Sequence, residues 1–158
     1  MSDITEIRTT AQVDVRGPRF VAWVTTVVLV ATLLASMWST AVAAVILGVQ
    51  AVVFAIGAVL GPRRHPYGLL FAKLIAPRLG PVTEREPVPP LKFAQLVGFL
   101  FAVVGFLGFA GGLSLLGLIA TGFAIVAAFL NAAFGICLGC QLYPLVARLQ
   151  PNPRTSTT

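Results

Sequence analysis

The chain has 158 residues, of which 58% are hydrophobic and only 10% are charged, and its mean hydropathy is +0.94. A soluble domain carries about 25% charged residues, so this composition excludes an ordinary soluble protein and indicates an integral membrane protein. The net charge of +6 does not indicate a nucleic-acid partner, because the basic residues stand between apolar segments, where membrane topology and lipid headgroups account for them.

The sequence of the N-terminal part predicts a tail followed by a helical hairpin. Residues 1–18 are polar, and we interpret them as a cytoplasmic tail. Apolar runs at about 20–37 and 41–60 are long enough to cross a hydrocarbon core, and Trp38 between them suits a membrane–water interface. A signal peptide cleaved at Ala43 is the alternative, but the polar head is long and the apolar stretch exceeds the usual length. We therefore predict a hairpin of two spans.

The central segment is rich in proline and basic residues. Gly61-Pro62 ends the second span. Residues 66–76 are apolar but too short to span, which predicts an interfacial helix on the cytoplasmic leaflet. The prolines from Pro81 to Pro90 predict an extended connector.

The C-terminal half predicts a second hairpin, with spans at about 94–111 and 114–136. Glycines in the first of these indicate a surface on which a neighbouring helix packs closely. The apolar run of the second continues too far for one span, so we expect a break near Gly135 or Gly139. A second interfacial segment at 141–149 and a cytoplasmic tail at 151–158 follow.

The distribution of charge predicts the orientation. All 11 Lys and Arg lie in the N-terminal tail, the 61–92 loop or the C-terminal tail, and the turns between paired spans have none. The positive-inside rule then places both termini in the cytoplasm and the protein in the inner (plasma) membrane. The predicted fold class is an all-α membrane protein, with four transmembrane helices as two hairpins in a single membrane domain, 19–150.

The two halves share an order of parts. Arg19-Phe20 opens the first hairpin and Lys92-Phe93 the second, and each hairpin is followed by a Gly-containing break and a short amphipathic segment. This order predicts two parallel repeats around a pseudo-two-fold axis along the membrane normal. The alternative is that any four-span protein with basic loops shows as much. In a true repeat, the cationic cluster of Arg63, Arg64 and His65 would lie near the cysteine segment.

The two cysteines of the chain, Cys137 and Cys140, are three residues apart. This spacing brings both sulfurs within reach of each other at the start of a helical turn, and nearby cations or a helix N-terminus favour the reactive thiolate. We assign Cys137 as the attacking thiol and Cys140 as the resolving one. The alternative is two small apolar side chains without chemistry. We predict no metal and no cofactor, since zinc needs four ligands and His65 is the sole histidine.

Polar side chains inside the spans are few. Asn131 and Gln50 are of the type that joins membrane helices or marks a pathway. Ala127, Asn131, Gly135 and Gly139 recur every four residues, and we favour close packing there over a substrate path. The spans contain no acidic or basic residue, which argues against an ion-coupled pump.

Several segments of the chain form a recognisable set: Arg19-Phe20, His65-Pro66-Tyr67-Gly68, Pro90 with Phe93-Ala94-Gln95 and Gly98, and above all the segment from Phe134 through Cys137 and Cys140 to Tyr143. With these segments the chain resembles, over about residues 14–149, the bacterial membrane proteins of domain-of-unknown-function family 4395. The resemblance implies a four-span membrane protein without an assigned activity, and proximity of such genes to thioredoxin-like and rhodanese-like genes would fit thiol or sulfur chemistry.

A looser similarity is to membrane oxidoreductases of the vitamin K epoxide reductase type. These also have Cys-x-x-Cys on the fourth span with a tyrosine after it, and Tyr143 stands in that place here. The tyrosine spacing differs, no second cysteine pair exists and the predicted side is cytoplasmic, which puts quinone-linked disulfide formation in doubt.

Our leading hypothesis is that Cys137 and Cys140 cycle between dithiol and disulfide, or carry a sulfane sulfur. The partners would be the lipid bilayer and a soluble thioredoxin-like or rhodanese-like protein, with Arg63, Arg64, His65, Asn131 and Tyr143 in support. A membrane scaffold or subunit without enzymatic activity, and a permease for a sulfur species lined by Asn131 and Gln50, are the alternatives. The sequence leaves the substrate and a homo-oligomeric state open.

Overall fold

The computed structural model describes residues 11–149, and six helices lie within that part of the chain. They are α1 (Arg16–Ser36), α2 (Thr40–Leu60), α3 (Pro66–Leu70), α4 (Val88–Ala110), α5 (Ser114–Phe134) and α6 (Leu138–Leu149). A π-helical segment and a 3-10 turn extend α3, at Phe71–Ile75 and Ala76–Arg78. The described strands are β1 (Gln12–Asp14) and β2 (Arg85–Pro87).

Helices α1, α2, α4 and α5 are long and apolar enough to cross a membrane. They contain 21 to 23 residues each, and the mean hydropathy of their most apolar windows is 1.8 to 2.5. Helices of this length are roughly 30 Å long, which matches the hydrocarbon thickness of a bilayer. The chain is therefore an all-α, multi-pass membrane protein whose spans form two hairpins, which confirms the predicted fold class.

The two hairpin turns are short and uncharged. Ser39 begins α2 as its N-cap, and its hydroxyl accepts the Val42 N–H at 3.3 Å. The turn between α4 and α5 contains Gly112 with a φ of 78°, a left-handed conformation that glycine adopts without strain. The opposite end of the bundle carries every described Lys and Arg, together with α3, α6 and both strands. We call it the basic end.

Helix boundaries differ from the sequence prediction where prolines are involved. Helix α4 begins at Val88 rather than near 94, so the last residues of the predicted extended connector are helical. Pro89 and Pro90 occupy its first turn, where a missing N–H costs nothing because the first four N–H groups of a helix have no internal partner. Helix α1 likewise begins at Arg16, before the predicted start of the first span at 20.

A small antiparallel ribbon replaces part of the predicted N-terminal tail. Strand β1 pairs with β2, Val13 standing opposite Glu86, so residues 12–18 are structured rather than tail-like. Asp14 holds the chain where it turns into α1, through an ion pair of 2.8 Å with Arg16. Residues 1–10 and the predicted 151–158 tail lie outside the described residues.

The helices pack in a cross-hairpin arrangement. Helix α2 packs on α4 and α1 on α5, besides the contacts inside each hairpin, and buried Leu29, Leu47 and Ala102 belong to the shared core. A Cβ at Gly105 would lie 2.5 Å from a methyl carbon of Leu47, and one at Gly108 would lie 2.6 Å from backbone of α5. Glycine is thus needed for this close approach, which confirms the predicted packing role of the third-span glycines.

The two halves of the fold have the same order of parts. Helices α2 and α5 are equally long, and each is followed at once by a glycine with positive φ, Gly61 at 84° and Gly135 at 69°. Each break leads into a helix at the basic end, α3 in one half and α6 in the other. The residues that precede these two helices, His65 and Cys137, therefore correspond. Under the same correspondence α2 takes the place of α5, and α4 takes the place of α1. The packing of α2 on α4 then corresponds to the packing of α5 on α1.

The ribbon register also follows a two-fold relation. Val13 is the middle residue of β1 and Glu86 the middle residue of β2, and these two residues pair directly with each other. An exchange of the two strands therefore converts one flanking pair into the other. These flanking pairs are Gln12 with Pro87 and Asp14 with Arg85. This register is the one that a two-fold relation between the two halves would give.

The long fourth apolar run breaks at Gly135, one of the two predicted positions. Helix α5 ends at Phe134, and α6 begins at Leu138, slightly before the predicted interfacial segment. Gly135 takes the left-handed conformation that ends many helices. The predicted four-residue stripe is therefore divided, because Gly139 lies on α6 while Ala127 and Asn131 lie on α5.

Candidate functional site

The two cysteines lie at the N-terminus of α6 and are joined by a disulfide with a Cα–Cα distance of 5.2 Å. Cys137 immediately precedes the helix, and its Sγ accepts the backbone N–H of Cys140 at 3.2 Å. Both residues are partly exposed. Cys137 thus has the place of a helix N-cap, where unpaired backbone N–H groups favour a negatively charged acceptor.

Two features of the chain hold this segment in position. The tight break at Gly135 lets the Ile136 N–H bond to the Leu130 carbonyl at 3.1 Å, which turns the chain directly into α6. Buried Gly139 then lies against α4, where an added Cβ would be 2.6 Å from the Cα of Ala94. The absence of a side chain at Gly139 therefore fixes how closely the cysteine helix approaches the span.

A cavity of about 310 Å³ lies beside the disulfide, between α1, α4, α5 and α6. Cys137 and Gly139 line it at the basic end, and most of its other lining groups are apolar. Phe123 and Val126 also line it and are 60% and 54% exposed on the outer surface of the bundle. The cavity wall therefore includes residues of α5 that reach the protein surface.

Three polar side chains interrupt the apolar wall of this cavity: Thr25, Gln95 and Asn131. Thr25 is only 3% exposed, and its hydroxyl has no hydrogen-bond partner. The side-chain oxygen of Gln95 is also buried, but Gln95 interacts with His65 and raises the pKa of that ring. A buried polar group without a partner costs free energy, so the cavity offers unused hydrogen-bonding capacity to a molecule that fills it.

Arg19 supplies a positive charge next to the cysteine loop. Its Nη2 donates to the Ala133 carbonyl in the last turn of α5 at 3.5 Å. A Cβ built at Gly135 would lie 3.9 Å from the guanidinium carbon. A cation at a helix C-terminus is favoured by the helix dipole, so Arg19 stabilises the end of α5 from which the loop to Cys137 departs.

His65 occupies the corresponding place in the first half of the molecule. It is the N-cap of α3, its Nδ1 accepts the Tyr67 N–H at 3.3 Å, and it is 1% exposed. Burial lowers its pKa to about 4, and contact with Gln95 opposes this shift. The Tyr67 hydroxyl in turn donates to Gln50 Oε1 at 2.9 Å. These residues form a buried polar network of neutral groups where α3 meets the spans.

The predicted supporting residues are not all brought together. Asn131 shares the cavity with Cys137, while Tyr143 packs on Phe93 with ring centroids 6.0 Å apart. Arg63 donates to the Gln12 carbonyl at 3.1 Å and so anchors β1. The cationic cluster expected beside the thiols is not part of the cavity wall, because the lining residues do not include Arg63, Arg64 or His65.

Three site residues were missed by the sequence reasoning: Thr25, Gln95 and Arg19. Threonine in a membrane helix is usually bonded to its own backbone, as Thr26 is to the Ala22 carbonyl at 2.7 Å, so nothing in the sequence distinguished Thr25. Gln95 and Arg19 did stand in the segments that carry the family resemblance. Their position beside Cys137 depends on how the halves pack, which the sequence pattern does not specify.

Within residues 11–149, no three His, Cys, Asp or Glu side chains lie close enough together to hold a metal ion. Comparison of the chain with curated proteins and with solved structures finds no similar protein. Comparison with protein families matches residues 13–148 to a domain of unknown function, DUF4395, and this match includes all four spans and both cysteines. The chain, with its four candidate membrane spans, therefore belongs to the DUF4395 family.

Proposed function

We propose that the protein performs thiol–disulfide exchange between the Cys137–Cys140 pair and a soluble dithiol protein of the thioredoxin-like class. The observation that carries this proposal is the position of the disulfide at the first turn of α6, with a backbone N–H on the Cys137 sulfur. An N–H donor at a helix N-terminus stabilises a thiolate relative to a thiol. Structural cysteines in a lipid-facing helix need no such donor.

The two sulfurs have different roles in this reaction. In the reduced state the Cys137 thiolate attacks a disulfide of the partner, which forms a mixed disulfide and releases one partner thiolate. Cys140 then attacks Cys137, which closes the intramolecular disulfide and releases the second partner thiol. The reverse sequence reduces the pair. With a rhodanese-like partner, the Cys137 thiolate would attack the outer sulfur of the partner's persulfide, which forms a persulfide on Cys137 and releases the partner's thiolate.

The proposed reaction takes place on the cytoplasmic side of the inner membrane. Every described Lys and Arg lies at the basic end, and the hairpin turns at the other end have none. This asymmetry supports a cytoplasmic basic end, with both termini in the cytoplasm. The cysteine loop lies at that end and is partly exposed, so soluble proteins would reach it there.

Trapping of the mixed disulfide tests the proposal. We expect Cys140→Ser in membranes to form a covalent adduct with a purified thioredoxin whose disulfide is intact, because the resolving thiol is missing. Cys137→Ser is the matched control, and it should give little adduct. If both variants formed equal amounts of adduct, the assignment of Cys137 as the attacking thiol and Cys140 as the resolving thiol would be wrong. If neither variant formed an adduct, thiol exchange would be contradicted.

A permease for a small sulfur species is the second candidate, and the placement of Asn131 on the cavity wall favours it. Gln50, the other expected lining residue, instead accepts the Tyr67 hydroxyl and is 1% exposed. Uptake of labelled thiosulfate into vesicles, compared between wild type and Asn131→Leu, tests this candidate. The permease predicts faster uptake in the wild type, whereas equal rates would eliminate it.

A further inference from the structure

We propose that Arg19 is a positioning residue of the cysteine pair, whose charge increases the thiolate fraction of Cys137 and so speeds its attack on a partner disulfide. The proposal rests on the thiol-exchange function and names a residue outside the cysteine segment on which that function depends. It starts from the place of the Arg19 guanidinium, against the short loop between α5 and α6.

Arg19 reaches the cysteine loop from the other half of the molecule. It lies in the first turn of α1, and its Nη2 donates to the Ala133 carbonyl at 3.5 Å. A Cβ built at Gly135 would lie 3.9 Å from the guanidinium carbon. Both contacts are made by the charged group rather than by the alkyl part of the side chain. The charge is therefore held at the point where α5 ends and the chain turns toward Cys137.

Cys137 is close enough to this charge to respond to it. It follows Gly135 by two residues, which add at most about 7.6 Å between Cα atoms. A positive charge on the order of 10 Å from a sulfur near a protein surface should increase the thiolate fraction roughly 3- to 10-fold at low salt. This effect adds to that of the Cys140 N–H, which donates to the same sulfur at 3.2 Å.

No close acidic side chain among residues 11–149 neutralises Arg19. The ion pair in that part of the chain joins Arg16 to Asp14. Burial raises the pKa of the Glu86 carboxyl on β2, and the charge of Arg19 opposes this increase. Arg19 therefore acts on a carboxyl group with which it forms no ion pair, as its proposed effect on the Cys137 sulfur requires.

The elements that pack on α6 carry few other charges. Helix α5 has no ionisable side chain, and α4 has only Lys92. Lys92 lies at the other break, where a Cβ built at Gly61 would be 3.8 Å from its Cδ. On α6 itself, Tyr143 packs through its ring, and Arg148 lies roughly 16 Å along the helix from Cys137. Arg19 is therefore the charge that the neighbouring helices bring to the cysteine loop.

The first half of the molecule contains the same arrangement without a thiol. Arg19 and Lys92 each lie near the start of the first helix of their own half, and each lies against the positive-φ glycine that ends a span of the opposite half. A cation is favoured at a helix C-terminus in both places. One break leads to buried His65 and the other to Cys137. Substitution of Lys92 thus measures the structural effect of such a cation by itself.

The pH profile of alkylation tests the inference. Full-length protein with Cys140→Ser has Cys137 as its single thiol, and its reaction with iodoacetamide is followed in a non-ionic detergent at low ionic strength. The midpoint of the profile is the pH at which half of the Cys137 side chains are thiolates. We expect Arg19→Gln to raise this midpoint by roughly half a unit to one unit, and to slow alkylation at pH 7 roughly 2- to 5-fold. Arg19 is exposed, so its substitution opens no cavity.

Three comparisons make the test specific. Arg19→Lys keeps the charge and should restore a midpoint close to that of the parent protein. Lys92→Gln removes the same charge at the opposite break and should shift the midpoint less than half as far as Arg19→Gln does. High salt should remove most of the difference between Arg19→Gln and its parent, because exposed charges about 10 Å apart are then screened.

Adduct formation with an oxidised thioredoxin, measured in the same preparations at pH 7, separates the two proposals. We expect Arg19→Gln to slow it by about the same factor as alkylation. An unchanged midpoint in Arg19→Gln, with adduct still formed, would overturn the role of Arg19 and leave thiol exchange standing. An equal shift in Lys92→Gln would also overturn it, since the position of the charge would have no importance. If Arg19→Gln shifted the midpoint as expected but no variant formed an adduct, the effect of Arg19 on the thiol would stand and thiol exchange would be contradicted.

Discussion

At the scale of single residues, His65 illustrates how the chain can bury a titratable group at a membrane surface. The ring caps α3 through Nδ1 and is held neutral by burial, with a pKa of about 4. An unfolded histidine has a pKa near 6.5, so the folded state binds fewer protons between these two values. Its contribution to stability is complete above about pH 6.5 and decreases as the pH falls toward 4.

We expect the free energy of unfolding to decrease on the order of 2 kcal/mol between pH 7 and pH 5 because of His65. Chemical denaturation in detergent at the two pH values measures it. Burial and Glu84 raise the pKa of Glu86, which has the opposite sign, since it stabilises the fold at lower pH. His65→Gln keeps Glu86 and should lose most of the decrease. An unchanged pH dependence in this variant would refute the assignment.

The hydroxyl of Tyr67 gives a second prediction at this scale. Tyr67→Phe removes the 2.9 Å bond to Gln50 and leaves a buried acceptor unpaired, which should cost about 1–3 kcal/mol of unfolding free energy. Tyr143→Phe is the matched control, because Tyr143 packs on Phe93 through its ring. Equal destabilisation of the two variants, measured by denaturant titration, would show that the Tyr67 hydroxyl bond is not stabilising.

At the scale of elements, the contact of α6 with α4 fixes the cysteine pair. Gly139→Ala would place a Cβ 2.6 Å from the Cα of Ala94, so α6 must move away from the span. We expect the reduced thiols of this variant to react with maleimide several-fold faster than in wild type, because the displaced helix exposes them. Gly122→Ala, with no atom within 4 Å of the added Cβ, should react at the wild-type rate.

Stopped-flow or quenched alkylation of reduced protein measures these rates. If Gly139→Ala reacts no faster than Gly122→Ala, the approach of α6 to α4 is not what positions the thiols. The same conclusion would follow if Gly139→Ala lowered the free energy of unfolding but left the alkylation rate of the thiols unchanged.

How far the sequence predicts these elements depends on the kind of signal each one carries. Long apolar runs determine the spans, and Gly135 marks the break before α6, because hydrocarbon length and left-handed conformations have strong residue preferences. The ribbon of β1 and β2 has no such signal, since each strand is very short and is stabilised by a partner in the other half of the chain. The start of α4 at Val88 was missed because prolines in a first helical turn resemble prolines in a connector.

The candidate site was predicted in part for the same reason. The spacing of Cys137 and Cys140 is local, so their pairing could be anticipated. The cavity is formed by four helices from both halves, and the role of Thr25 depends on which face of α1 the neighbouring helices leave open. Residue patterns along one helix do not contain that information.

At the scale of the whole molecule, two similar halves differ where chemistry is proposed. His65 and Cys137 stand at corresponding helix starts, one buried over a glycine and the other beside an open cavity. The two halves thus share the order and the packing of their helices. They differ at the residue that precedes the short helix, where the site is proposed. The same two-fold relation brings every described basic loop to one end of the bundle, opposite the uncharged turns.

The orientation of that basic end decides whether soluble cytoplasmic proteins can reach the cysteines. The most direct measurement is labelling with a membrane-impermeant maleimide, after treatment with a permeant reductant that is then removed. Trp38→Cys in a background without the native cysteines is the control, because Trp38 is 80% exposed in the turn at the opposite end. We predict that intact cells leave Cys137 unlabelled and label the thiol introduced at position 38, and that inside-out vesicles give the reverse. Labelling of Cys137 from outside intact cells would contradict the proposed cytoplasmic exchange.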